Sequence, residues 1–232
     1  MRIGRGCIVR SMEISYVPFL KDVYSVDVEI LEENGDKNYV QLEMRDEKWV
    51  GYIQTDNNEV VYKFIVNGLV RINDSNATSY KVVNGEEVYS VMSDSAYTKE
   101  WPVMKEVVVS DRICGKMINC IKKKNLNFKD SMKVAVGLQV QNLKNVHSVT
   151  FIWHQPDGRI YRVEERALDV PDYAGVVSAD VWFWINFCEI NGEFSDGVWC
   201  IEAFVDGRRC AMDYFLVRRQ LLKKPFRFEL AI

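Results

Sequence analysis

Two histidines, six cysteines and 33 carboxylates are the groups through which this chain could do metal, nucleophilic or acid–base chemistry. Zinc sites need thiolates and imidazoles clustered a few residues apart. Cys7, Cys114, Cys120, Cys188, Cys200 and Cys210 contain no Cys-x-x-Cys pair, and His147 and His154 stand apart from most of them, so no metal ligand set is expected. A hydrolase needs a nucleophile beside a base, or two carboxylates at a fixed separation. The sequence holds no Gly-x-Ser-x-Gly, no His-Glu-x-x-His and no phosphate-cradling glycine loop. His154 could meet Glu164 and Glu165 across a hairpin, but such proximity is ordinary at a solvated sheet edge. No catalytic residue is assigned, no cofactor is implied, and the chain is expected not to be an enzyme.

Charge narrows the partners. The net charge is −3, divided as −6 over residues 1–98 and +3 over residues 99–232. The one basic cluster runs from Arg112 to Lys133 and contains Lys122, Lys123 and Lys124. Phosphate binding usually takes a basic face of about six or more contacts, so this cluster reads as a solvated inter-strand loop and no nucleic acid is expected. No run approaches the roughly 18 apolar residues of a membrane-spanning helix. The opening "MRIGRGCIVRSMEISYV" has no apolar signal run, and Cys188, Cys200 and Cys210 lie in apolar segments where free thiols act as small core residues. A reduced, cytoplasmic protein is the expectation, with an extracellular one the alternative if a leader once preceded this start.

The elements that would position any site are strands. Seven of the 13 glycines follow Asn or Asp, which suits tight hairpin turns. Between the turns the hydrophobic period is two. Tyr24, Val26, Val28 and Ile30 share one face, Val40, Leu42 and Met44 another, and Val60, Tyr62, Phe64 and Val66 a third, which predicts strands with one buried side. Trp101-Pro102 blocks both helix and ladder pairing. The reading is therefore all-β, two tandem immunoglobulin-like antiparallel β-sandwiches: residues 1–98, a linker at 99–104, and residues 105–232 with a C-terminal tail. Seven strands are predicted in the second half, at 105–110, 132–140, 148–154, 159–163, 180–187, 198–205 and 210–218.

The run "WVGYIQTDNNEVVYKFIVNGLVRIND" resembles the glycogen- and starch-associated sandwich modules, namely the family-48 carbohydrate-binding modules and the β-subunit module of the AMP-activated protein kinase. The matching residues are Trp49, Tyr62, Lys63, Phe64, Val66, Asn67, Gly68 and Asp74, and the resemblance covers roughly residues 20–92. It implies an α-glucan ligand held by Trp49, Lys63, Asn67 and Asp74. An aromatic ring would meet the apolar face of a pyranose while Lys and Asn bond its hydroxyls. Leu69-Val70 stands where that family has an aromatic, so a rival reading keeps the fold without the sugar site. In "NDSNATSY", Asp74 and Asn76 are expected to shape a turn while Tyr80 packs back on the sheet.

The second half looks like bacterial immunoglobulin-like modules through "GVWCIEAFVDG", in which Trp199, Ile201, Ala203 and Val205 form an inward row. Trp182 and Trp184 share one face of "VWFWINF", and if exposed they form a partner patch. The functional expectation is a non-catalytic recognition module with an α-glucan as ligand. The alternative is a protein-interaction or scaffolding protein on a degenerate glycan-binding fold.

Overall fold

The computed structural model describes residues 9–93, 101–111, 121–128, 133–171, 177–186 and 195–219. These residues form seventeen strands and no helix. In the first half, β1 (Arg10–Tyr16), β5 (Lys48–Thr55) and β4 (Glu43–Arg45) make a sheet in the order β1-β5-β4. Facing it lies a six-stranded sheet of β3 (Lys37–Gln41), β2 (Val26–Leu31), β6 (Glu59–Val66), β9 (Glu87–Ser93) and β8 (Ser79–Val83), with β7 (Val70–Ile72) also on β6. In the second half, β10 (Val103–Ser110), β12 (Lys133–Leu143) and β15 (Val177–Asn186) form one sheet. The other runs β11-β17-β16-β13-β14, from β11 (Asn125–Phe128), β17 (Arg208–Arg219), β16 (Gly197–Val205), β13 (Asn145–His154) and β14 (Ile160–Val170). No described strand pairs across the boundary between the halves.

Period-two alternation builds each core from two inner faces. Tyr62, Phe64 and Val66 on β6 meet Ile14, Trp49 and Ile53 of the opposite sheet in one cluster. Val134, Val136 and Phe183 meet Phe151, Trp153 and Trp199 in the other. Every one of these side chains is at most 8% exposed, and full burial of an aliphatic or aromatic residue is worth about 1.5–3 kcal/mol. The two clusters are the sandwich interiors, and the architecture is the immunoglobulin-like all-β one that the sequence predicts. The expected inward row of Trp199, Ile201, Ala203 and Val205 is present. Asp206-Gly207 carries paired positive φ values, 54° with 71°, as a two-residue hairpin turn demands, and Asn84-Gly85 carries 52° with 80° inside the three-residue loop between β8 and β9.

Several boundaries differ from the sequence reading. Val103 and Met104, expected in the linker, open β10, so the non-strand segment described there is Trp101-Pro102. β14 runs on to Val170 rather than stopping near Val163. β1 and β11 were not foreseen. β11 lies just past the lysine cluster and joins β17 in parallel, Asn125 opposite Leu216, a pairing that leaves no hairpin signature. Lys122, Lys123 and Lys124 precede it in a loop and pair with Glu106, Asp111 and Asp213. Tyr24 and Met44, expected on buried faces, are 75% and 50% exposed: Tyr24 precedes β2, and Met44 lies on the edge strand β4 instead of continuing β3.

The first sandwich packs on the outer face of the second's five-stranded sheet. Ile152 and Phe204, which point away from their own core, belong to the first sandwich's cluster, and Phe19 packs on Phe204 with ring centroids 4.7 Å apart and planes tilted by 45°.

Candidate functional site

Alternation on β6 turns Lys63 away from Tyr62 and Phe64, onto the outer face of its sheet, where the glycan reading needs it. There it meets the second sandwich. Its Nζ lies 2.5 Å from Glu165 Oε2 on β14 and donates to the Val88 carbonyl at 2.9 Å. Lys63 is 2% exposed. Burial pulls the ammonium's pKa down, with the Glu165 carboxylate opposing. Glu165 also accepts from Asn73 Nδ2 and Ser148 Oγ, both at 2.8 Å. One carboxylate thus ties β6, the segment after β7, and β13.

A second knot lies beside it. Asp206, 0% exposed, accepts from Ser148 N–H at 3.0 Å and pairs with His147 Nδ1 at 2.8 Å. His147 Nε2 accepts from the Lys144 N–H at 3.1 Å, which leaves the ring proton on Nδ1 to donate to Asp206. The Tyr80 hydroxyl reaches the carbonyls of both Asp74 and Asp206, at 2.8 and 3.0 Å. Burial and the two neighbouring carboxylates hold its pKa far above that of a free phenol. Gly207 lies against this turn: a Cβ there would stand 2.0 Å from the Asn73 carbonyl oxygen.

Of the four residues singled out for sugar, Trp49, Lys63 and Asp74 are buried and Asn67 is part-exposed but bonded within the chain. Asp74, 7% exposed, accepts from the Tyr62 hydroxyl at 2.7 Å and from Asn76 N–H at 2.8 Å, which is the turn that the sequence predicts. Asn67 Oδ1 accepts from the Tyr24 and Ser25 N–H groups and its Nδ2 donates to the Asp22 carbonyl, fixing the approach to β2. Trp49 is 8% exposed in the first core. The structure does not bring these four to one open face. Sequence reasoning missed Glu165 and Asp206 because each meets its partner across the boundary, 102 residues from Lys63 and 126 from Tyr80.

The Trp182/Trp184 pair divides. Trp182 lies over Gly137 and clusters with Val108 and Ala135, while Trp184 is 40% exposed. A further apolar surface lies on the half of the five-stranded sheet that, among the described residues, nothing covers. Val198, Met212 and Tyr214 are 54%, 42% and 51% exposed. Register places Val198 opposite Leu216, Cys200 opposite Tyr214 and Glu202 opposite Met212, so all share the outer face that carries Phe204 farther along β16. Glu202 Oε2 and His154 Nε2 are buried there without a hydrogen-bond partner. The readable signal was a pair of strands apolar on both faces: Trp199 and Phe215 inward, Val198 and Tyr214 outward.

Cys200 and Cys210 are free thiols. Burial pushes each up to about 11, with Glu202 adding to the effect at Cys200. The thiolate is the reactive form, so a raised pKa means little of it at pH 8. Peptide mapping after iodoacetamide treatment at pH 8 is expected to find both sites alkylated more slowly than free cysteine, with the rate climbing as pH approaches 11. Among the described residues, no three His, Cys, Asp or Glu side chains are grouped to hold a metal ion. No helix among them is long and apolar enough to cross a membrane.

No protein-family model matches the chain, and no curated protein does. Among solved structures it is similar to an alkylpurine DNA glycosylase from Pseudomonas fluorescens bound to DNA containing an abasic-site analogue. That match has 10% identity and a TM-score of 0.36, over 53% of this chain and 32% of that one. An immunoglobulin-like protein from Pseudomonas aeruginosa matches at 17% identity and a TM-score of 0.34, over 51% of this chain and 98% of that one. A tetra-tandem repeat from the extending region of a large adhesion protein matches at 12% identity and a TM-score of 0.24, over 90% and 48%. The chain thus spans about a third of the glycosylase, and likeness at this level carries no argument about function.

Proposed function

We propose that this chain is a non-catalytic recognition module that docks a protein partner on the open half of its five-stranded sheet. The observation that supports this is the patch of Val198, Met212 and Tyr214. It continues the surface on which the first sandwich already packs, and it borders the buried Glu202 carboxylate, which faces His154 Nε2 at 4.0 Å and Arg209 at 3.5 Å. Contiguous exposed apolar surface rimmed by polar groups is typical of interaction sites, and an aromatic such as Tyr214 is a common anchor. The test is a benzophenone photo-crosslinker placed at Tyr214 in the producing cells, with one at Tyr24, which is 75% exposed on the other sandwich, as reference. A discrete protein adduct is expected from position 214 and not from 24, and to disappear when Met212→Glu is added. No adduct at 214, or the same adduct from both positions, defeats the reading.

An α-glucan ligand is the second reading. With Trp49, Lys63 and Asp74 enclosed, its support is a polar groove elsewhere on the first sandwich.

A further inference from the structure

A groove of about 760 Å³ crosses the end of the first sandwich where the β2–β3, β5–β6 and β8–β9 turns converge. That volume lies within the roughly 300–1,000 Å³ typical of small-ligand sites. Ile30, Val40, Ile53 and Val60 supply apolar surface, and polar side chains make up much of the rest. Asn57, Lys81 and Asn84 line it, and among the described residues none of these three side chains has a hydrogen-bond partner. The turns that carry the walls are held by their own bonds: Gly35 N–H to Glu32 O at 2.9 Å, Asn57 N–H to Thr55 Oγ1 at 3.0 Å, and Glu86 N–H to Val83 O at 3.3 Å. The walls are therefore formed before a ligand arrives, which lowers the ordering cost of binding.

Charge decides the ligand class. Lys37 and Lys81 line the groove against Glu32, Glu33, Glu59 and Glu87. The acidic excess, four glutamates to two lysines, repels phosphate, sulfate and uronate groups, and Lys81 stands among the glutamates as a donor free to meet a hydroxyl. Amide and ammonium donors interleaved with carboxylate acceptors above apolar surface suit vicinal hydroxyls on a ring with an apolar face. We infer that this groove binds a neutral, hydroxyl-rich chain, an oligosaccharide. The inference sharpens the second reading by moving the ligand away from Trp49 and Lys63, and it holds whether or not the sugar is an α-glucan.

The test titrates the full, ¹⁵N-labelled chain with maltoheptaose, cellohexaose and mannohexaose, and with a heparin hexasaccharide and spermine as charged probes. Saturable shifts at the Asn57, Lys81 and Asn84 amides with at least one neutral probe are expected. The Asn57→Ala/Lys81→Ala double variant, altered at two partly or fully exposed side chains, is expected to bind about tenfold more weakly, since it removes two hydrogen-bonding groups from the groove. Neutral probes that shift only residues elsewhere overturn the placement, and so does affinity unchanged in the double variant. Binding of heparin or spermine alone overturns the ligand class, and no binding of any probe overturns both. Native electrophoresis in glycogen separates this inference from the α-glucan reading. Retardation that persists in the double variant sinks the groove and keeps the glucan, whereas mannohexaose or cellohexaose binding without retardation does the reverse.

Discussion

Replacing Lys63 by methionine is expected to destabilise the chain by about 3–5 kcal/mol, the usual cost of breaking a buried ion pair by removing one partner. The size follows from what stays behind. Lys63 and Glu165 side chains are 3% and 15% exposed, so the orphaned carboxylate keeps little water to replace the ammonium. Neutralising it should restore part of the loss. Glu165→Gln in the Lys63→Met background is expected to recover about half, because an amide can still accept from Asn73 and Ser148, the side chains besides Lys63 that donate to Glu165. Urea unfolding of the single and double variants measures both. A loss below about 1 kcal/mol would place the pair with ordinary surface ion pairs and undo the account of the seam. Loss of sugar binding in a Lys63 variant, taken alone, would report only this structural role.

Gly207→Ala is expected to cost at least about 3 kcal/mol and to act through the docking of the two sandwiches. Gly207 has φ +71°, a conformation in which any other residue is strained by about 1–2 kcal/mol. The added methyl also meets backbone: the Asn73 carbonyl oxygen at 2.0 Å, its carbon at 2.7 Å and the Ser75 nitrogen at 2.9 Å. None of these rotates away like a flexible side chain, so the turn after β16 must retreat from the first sandwich and carry Asp206 with it. Gly85→Ala separates the two contributions. Its φ is +80° but nothing stands within 4 Å of the added carbon, so it should show the strain alone. Similar midpoints for the two variants in chemical denaturation would rule out the steric role of Gly207.

The strands and turns were legible because their causes are local. Val60, Tyr62, Phe64 and Val66 alternate visibly, and all four are at most 3% exposed. Asp206-Gly207 announced a tight turn and is one. What could not be read was the meaning of an outward side chain. Lys63 was correctly placed on the outer face, but a period of two says only that it leaves its own core, and the second sandwich covers that face. Period two left Trp182 open between core and surface in the same way, and what decides it is Gly137 on the neighbouring strand, whose missing side chain leaves a depression that the ring fills. The groove went unnoticed because three turns far apart in sequence build it, each of them an ordinary run of Asn, Asp, Glu and Gly.

The seam also sets an order of events on the ribosome. Lys63 and Tyr80 emerge 102 and 126 residues ahead of Glu165 and Asp206. At synthesis rates of about 5–20 residues per second, the nascent first sandwich holds a bare ammonium and an uncovered flank for several seconds at least. Its maturation is completed from downstream, by chain that has not yet been made.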